Sequence, residues 1–516
     1  MKVAKSFHLI DKPTFLGALG LLLAVTIPLM LYPEQGARVV LDAKDFLTEN
    51  FGFLYLLLGA GAGIFMLYIA FSDIGRISLG HPDEKPEFST LSWAAMLFCA
   101  GIGASILYWG TIEWAYYYEA PPFSVTPRST EAIEWATAYP IFHWGITGWA
   151  LYCLPTLAIA YGYFVRGLPS LRLSANCRPV IGDAADGWLG RLIDLIFMVG
   201  LLGAAGTGIG LAVPLISTGL SRLFGVEDTF GLNIAVIVAV TATFSASVWY
   251  GLEKGIQRLS RWNIILTLLL LAFVLIVGPT VFILDTGTNA LGQMLQNFIK
   301  MNFWTDPIDE TGFVESWTIF YWAWWIALAP FMGMFVARIS KGRTLREVVI
   351  GMIGIGPAGC LIFFTILGNY ALKLELDGAL SVTSQLQTEG APYAITSVIL
   401  SLPAGVAALA LFCLVSLVYM ATTYDSAAYT LALGATRRLA MGDHPPRWHR
   451  LFWAVVVGII PLALMYLGGL KAFQTASIAV SLPLVAVGVL LAVALVKSLR
   501  ADHLRRSGTA DEFPPS

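Results

Sequence analysis

The sequence predicts an all-α membrane protein with twelve transmembrane helices, and three observations carry that prediction. The 516 residues are 57% hydrophobic and only 12% charged, with a mean hydropathy of +0.74, whereas a soluble domain is about a quarter charged. Apolar windows long enough to cross a bilayer recur along the whole chain. Lysine and arginine alternate between segments rich in them and segments poor in them.

The windows fall at about 14–32, 51–71, 91–117, 137–164, 191–218, 232–250, 260–284, 317–338, 347–371, 403–434, 451–469 and 475–497. Of the 31 basic residues, 24 lie on one set of alternate segments, which runs from Lys2 to Arg506 and includes Arg338, Lys341, Arg343 and Arg346. The other set holds 7: Arg38, Lys44, Arg128, Arg222, Lys300, Lys373 and Lys471. This asymmetry predicts that both termini are cytoplasmic and that the number of spans is even. Met1 to Lys12 reads as a short basic tail rather than a cleavable signal. The longest pieces between spans, 284–316 and 372–402, lie on the outer side, and 391–402 is expected to form a short helix along the membrane surface.

Composition also excludes some classes. The net charge is −2, and no basic patch with interleaved aromatics points to nucleic acid. The five cysteines, Cys99, Cys153, Cys177, Cys360 and Cys413, have no paired or metal-type spacing and read as free thiols. A membrane-embedded enzyme would require clustered histidines or carboxylates, or a nucleophile beside a base, and none is visible. A sensor built on a carrier scaffold stays open, although no appended signalling segment is present.

Two spans look unsuited to being plain helices. The third contains Gly101-Ile102-Gly103, where each glycine weakens a helix by roughly 1 kcal/mol relative to alanine. The eighth contains Pro330 and Gly333. Interrupted helices in two spans point to a carrier with a midplane site, while close helix packing is the alternative use of small residues.

Aromatic residues then mark a candidate site. Trp317-Thr318-Ile319-Phe320-Tyr321-Trp322-Ala323-Trp324-Trp325 puts four tryptophans and a tyrosine in one span, although tryptophan normally gathers at the membrane interfaces. Tyr321, Trp325, Leu328 and Met332 share one helical face. Trp144, Trp149 and Tyr152 in span four and Tyr116 in span three add further rings. No charged residue accompanies these stripes, which suits a diffuse cation held by π-faces.

The tryptophan run resembles the signature of the betaine/carnitine/choline transporter family. Ala337-Arg338-Ile339-Ser340-Lys341-Gly342-Arg343-Thr344, Phe142-His143-Trp144-Gly145 and Gly101-Ile102-Gly103 are similar to that family as well, over about residues 10–497. The resemblance implies a fold like that of the leucine transporter: two accessory helices (14–71) after a cytoplasmic N-tail (1–13), then two inverted five-helix repeats (91–284 and 317–497), then a cytoplasmic C-tail (498–516). It implies a homotrimer in the bacterial inner membrane, without cofactor or enzymatic activity. The substrate box carried over is Tyr116, Trp144, Trp149, Tyr152, Trp324 and Trp325, with Phe331 and Met332 below. The substrate implied is a quaternary ammonium zwitterion such as carnitine, glycine betaine or a choline-like compound, with a sulfonium analogue such as dimethylsulfoniopropionate as an alternative.

Coupling divides the family's branches. Trp109 to Tyr117 and Ala120-Pro121-Pro122-Phe123 are similar to the carnitine/γ-butyrobetaine exchanger, in which an arginine replaces sodium. Asn263 stands at that position here. Thr422 and Thr423 match the paired hydroxyls of a sodium site, with carbonyls of Cys99 and Ile102 as further oxygens; threonine hydroxyls in spans also bond to their own helix. Sodium symport is the favoured reading and sodium-independent exchange the alternative. Leu328 and Ser105 depart from the betaine-carrier pattern, which has a further tryptophan and a third glycine there. The short C-terminal tail implies nutrient uptake rather than osmotic activation. Glu113 and Asp425 are functional candidates as carboxylates within or close to spans; the favoured alternative places Glu113 near the outer end of span three, facing water or capping a loop, and pairs Asp425 with a cytoplasmic arginine as a gate. His143 reads as a hydrogen-bonded structural histidine rather than a proton carrier.

Overall fold

The computed structural model describes residues 9–81, 84–100, 103–168, 171–250, 253–436, 444–467 and 470–506. Helices dominate them, and the only β-type contacts among the described residues are the bridges Ile10–Thr436 and Ser78–Thr344. Sixteen helices matter here: α1 (Lys12–Leu31), α2 (Pro33–Phe71), α3 (Thr90–Ala100), α4 (Ala104–Glu119), α5 (Thr130–His143), α6 (Ile146–Ala160), α7 (Trp188–Phe224), α8 (Phe230–Tyr250), α9 (Glu253–Val277), α10 (Thr280–Gln296), α11 (Ile319–Ile339), α12 (Leu345–Phe363), α13 (Ala391–Leu400), α14 (Gly405–Gly434), α15 (Arg447–Leu467) and α16 (Leu470–Arg506).

Every apolar window of the sequence falls on one of these helices or on a pair of them. Nine helical stretches among the described residues are long and apolar enough to cross a bilayer, and ten with the bent pair α3–α4. The apolar stretches of α1 and α8 are shorter, at Lys12–Pro28 and Phe230–Ala246. The protein is a multi-pass helical membrane protein.

Two local expectations change. The third span is interrupted as expected: α3 and α4 meet at 58° across residues 101–103. The eighth is not, because α11 runs unbroken through Pro330 and Gly333. The second irregularity lies instead in span four, where the helix breaks at Trp144 and Gly145. A Cβ on Gly145 would stand 2.5 Å from the Ile141 carbonyl oxygen, so this turn requires glycine. The seventh window, extended to 284, stops at Val277 because Gly278-Pro279 ends the helix. α10 then starts afresh as an amphipathic helix, burying Ile283, Gly287, Ala290 and Met294 and exposing Val281, Leu284, Leu291 and Leu295. The segment expected as a short helix is one, α13, and it is docked on protein. Arg222 Nη1 donates to the Tyr393 carbonyl and to the hydroxyls of Thr396 and Ser397.

Two contacts fix the interior. α6 and α11 approach closely enough that a Cβ on Gly148 would lie 2.6 Å from the Trp325 ring, and one on Gly333 would lie 3.0 Å from the Thr156 backbone nitrogen. The loop between α11 and α12 grips the start of α3. Arg343 is buried, stacks over Trp93 at 4.2 Å and donates to the Phe88 carbonyl at 3.0 Å. Trp93 Nε1 donates to Ser340 Oγ at 3.1 Å, and a Thr344–Glu347 capping box starts α12.

In α12 the Trp149 ring fills the space a side chain at position 356 would take, 2.4 Å from a Cβ there, whereas position 354 is open. Gly356→Ala therefore overpacks a rigid indole and is expected to cost about 1–3 kcal/mol. Gly354→Ala gains up to about 1 kcal/mol from helix propensity. Thermal unfolding of the two variants in detergent should show opposite shifts.

Candidate functional site

A cavity of about 370 Å³ lies at the centre of the bundle, enclosed by α3, α4, α6, α7, α9, α11 and α14 with Trp144, a size suited to a small ligand. Its aromatic wall is built at the α5–α6 break and on α6 and α11. Trp144 sits in the turn that ends α5, which points its indole inward against Trp324 at 5.7 Å and Trp325 at 6.0 Å, both edge-on. Tyr152, two turns along α6, packs on Trp325 at 4.4 Å. Phe331 and Met332 line the cavity one to two turns further along α11, beside Leu328. Trp324 Nε1 donates to the Ala204 carbonyl at 3.1 Å, which satisfies its N–H and holds α11 to α7.

The described lining residues include no aspartate, glutamate, lysine, arginine or histidine. Its hydroxyl and thiol groups are those of Cys99, Ser105, Tyr152, Ser260, Tyr419, Thr422, Thr423 and Ser426. The chamber therefore offers π-faces and hydroxyls but no counter-ion. That chemistry accommodates a permanent cation, which cannot donate a hydrogen bond and is attracted by ring quadrupoles.

Six of the eight box residues expected from the sequence converge here: Trp144, Tyr152, Trp324, Trp325, Phe331 and Met332. The other two stand behind the wall. Trp149 is fully buried between Trp325, at 6.0 Å, and the Gly356 backbone. Tyr116 belongs to a second aromatic layer with Trp317 at 5.1 Å and Trp109 at 6.2 Å, its hydroxyl 3.4 Å from that of Tyr108. That layer seals one end of the chamber: Trp109, Phe320 and Tyr321 are inaccessible to solvent. At the other end Phe335 is 39% exposed and Ser426 is exposed, so the chamber opens there.

The expected ion-site residues are distributed as follows. Cys99, Thr422 and Thr423 line the chamber. Both threonine hydroxyls donate to the Tyr419 carbonyl, at 2.8 and 2.9 Å, which leaves their lone pairs available. Asn263 is buried just behind the wall formed by Ser260 and Ile264. Its Nδ2 donates to the Val415 carbonyl at 3.1 Å, and its Oδ1 has no hydrogen-bond partner among the described residues. Gly101 and Ile102 lie outside the described residues. Gly103 lines the chamber in an extended conformation, and a Cβ there would meet no described atom within 4 Å. Space rather than tight packing is what this glycine supplies. Asp425 is half-buried and does not line the chamber.

Glu113 departs most from expectation. It neither faces water nor caps a loop; its side chain is fully enclosed. It accepts hydrogen bonds from Tyr117, Tyr321 and Trp144. His143 is buried beside it, 3.0 Å from the Tyr117 hydroxyl and 3.2 Å from Thr318 Oγ1, and stacks on Tyr321 at 4.6 Å. Glu113 and Tyr117 are four residues apart on one helix face, and that spacing within an aromatic run was the available signal.

Fold and site together define a multi-pass helical membrane protein with a ligand-sized aromatic chamber at its centre. The chain belongs to the betaine/carnitine/choline family of transporters, whose profile matches residues 13–504. It is 40% identical over 442 residues to an uncharacterized transporter, YeaV, of Escherichia coli strain K12, covering 85% of this chain and 91% of the relative. It is 36% identical over 478 residues to a carnitine transporter of Acinetobacter baumannii, covering 92% and 86%. It is 37% identical over 491 residues to the glycine betaine transporter OpuD of Bacillus subtilis strain 168, covering 94% of each.

Because position 103 is open and extended, Gly103→Val should fold with a thermal midpoint within about 2 °C of the parent, given the small cost of a non-clashing surface change. The added side chain enters the chamber, so ligand binding measured on the same preparation should be lost. A ligand affinity equal to the parent's would show that the chamber lies elsewhere.

Proposed function

We propose that this protein takes up quaternary ammonium zwitterions of the carnitine and glycine betaine type, coupled to sodium, by alternating access. The observation that carries this reading is the convergence of Trp144, Tyr152, Trp324 and Trp325 on a chamber without a charged side chain in its described lining. The relatives named for carnitine and glycine betaine support the same class of substrate. The trimethylammonium head sits among the indoles. The carboxylate points toward the hydroxyl-lined side. Sodium travels as a co-substrate held by the oxygens of Thr422 and Thr423 with backbone carbonyls at Cys99 and Ile102. Asn263 supports this choice over exchange, because it brings a neutral side chain where a built-in cation would replace the ion.

The chain resides in the bacterial inner membrane with both termini inside, by the distribution of its basic residues. The chamber's open end lies toward the arginine-rich loop after α11, so the conformation is open to the cytoplasm, and the Trp109–Trp317 layer is the closed outer gate. Spans 3–7 and 8–12 form the two inverted repeats, and access alternates by rocking one bundle against the other. The protein assembles as a homotrimer with one path per protomer.

The deciding experiment is uptake of radiolabelled carnitine and glycine betaine into proteoliposomes, with and without an inward sodium gradient. Concentrative uptake that requires sodium is expected. Uptake that ignores sodium but needs substrate inside would make the protein an exchanger, and transport of dimethylsulfoniopropionate alone would shift the substrate to a sulfonium. Trp325→Leu should weaken substrate binding by about tenfold or more, the worth of a desolvated cation–π contact, while expression and assembly persist. Thr422→Ala combined with Thr423→Ala should raise the sodium concentration for half-maximal uptake several-fold.

A further inference from the structure

Among the described residues, Glu113 is the one carboxylate fully enclosed directly behind the chamber wall. Oε1 accepts from the Tyr117 hydroxyl at 2.6 Å, and Oε2 accepts from the Tyr321 hydroxyl at 2.6 Å and from Trp144 Nε1 at 3.2 Å. With Glu113 ionised, every proton in the cluster finds a place. Tyr117 then donates a hydrogen bond to Glu113 and accepts one from His143 Nδ1–H at 3.0 Å, and the Thr318 hydroxyl donates to His143 Nε2 at 3.2 Å. The imidazole is then neutral, and no lysine or arginine among the described residues pairs with the carboxylate; its nearest basic nitrogen is His143 Nδ1 at 3.6 Å. In that state the cluster holds one uncompensated negative charge.

A buried carboxylate is costly even when fully hydrogen-bonded. The position of the charge supplies a reason for keeping it. Of the three donors only Trp144 lines the chamber. Its N–H edge points at Glu113 while its ring meets Trp324 and Trp325 across the cavity. An indole that donates to an anion is polarised toward its ring, which raises the negative potential over the π-face. The low dielectric behind the wall strengthens this effect and the direct attraction of the carboxylate for a cation in the chamber.

We infer that Glu113 is held ionised as a specificity-determining positioning residue: through Trp144 it makes the chamber prefer a permanent cation over an uncharged ligand of the same shape. This rests on the reading of the chamber as a quaternary ammonium site. A purely mechanical role, tying α4 to α5 and α11, would instead affect all ligands alike.

The experiment compares two probe pairs on the purified full-length protein: glycine betaine against 3,3-dimethylbutanoate, and carnitine against its analogue with carbon in place of the ammonium nitrogen. Within each pair only the positive charge differs. The parent is expected to prefer the cation. Glu113→Gln should reduce that preference about tenfold while affinity for the uncharged head is kept or improved. Equal losses for both members of a pair, or an unchanged ratio, would overturn the inference. Should the glutamine variant fail to fold, Trp144→Phe decides: it keeps a ring in the wall but severs the link to Glu113, and an unchanged preference there also overturns it. A parent that binds all four probes without preferring the cation, or binds none, removes the quaternary ammonium reading itself.

Discussion

The close approach of α6 to α11 is the contact on which the remaining architecture depends. Gly148 lets the Trp325 indole lie flat on α6, and Gly333 lets α11 touch the Pro155–Thr156 backbone. Between lipid-immersed helices there is little hydrophobic drive to associate, so packing and close contact must supply the adhesion. Here that adhesion also aims the chemistry. With the two helix axes drawn together, Trp324 and Trp325 have room only toward Trp144 and Tyr152, and the chamber forms where their bulk keeps α4, α7 and α14 from closing in. Side chains larger than glycine at the two contact points would separate the helices and disperse the box.

The irregular backbone obeys the same logic. In a bilayer an unpaired peptide group costs several kcal/mol unless it is buried in protein or borders an aqueous cavity. The two interrupted spans break beside the chamber, at Ala100–Gly103 and at Trp144–Gly145. Trp144 owes its inward direction to the second break: in a continuous helix it would keep the same face as Pro140 and Gly148. The turn frees it to serve the chamber with its ring and Glu113 with its N–H.

Much of this was legible in the sequence, for identifiable reasons. Span positions follow from long apolar runs, and these depend on local composition alone. Of the six converging residues, Trp144, Trp324 and Trp325 were legible because tryptophans deep in a span have few other uses, Tyr152 and Met332 by their place beside them on the same helices, and Phe331 through the family resemblance. The errors are tertiary. Pro330 looked disruptive, but helix α11 is held on both sides of it by packing on α6, and proline is tolerated in such surroundings. Tyr116 and Trp149 carry the right chemistry on the right helices, and only the three-dimensional path puts Trp109 and Tyr321 in front of one and Trp325 in front of the other. Glu113 read as a residue near water because a carboxylate inside a span is expensive. The cost is met by three donors on three different segments, and no one-dimensional pattern displays them together.

The division of polarity between the two layers bears on how a carrier of this kind must work. A carboxylate lining the chamber would pair with an ammonium head strongly and would hold it when the path opens to the other side. With the charge one layer back, the ligand meets only rings and hydroxyls, whose attraction is broad and tolerant of small displacements. The tyrosine and tryptophan donors hold the carboxylate in place, so on the reading proposed above the field inside the chamber stays fixed while the helices around it move. On that reading, such a site selects for charge without forming a contact that must be broken at each release. It asks only that Trp144, Tyr321 and Glu113 travel as one unit, and the hydrogen bonds of 2.6 to 3.2 Å that join them across α4, the α5–α6 turn and α11 make them one.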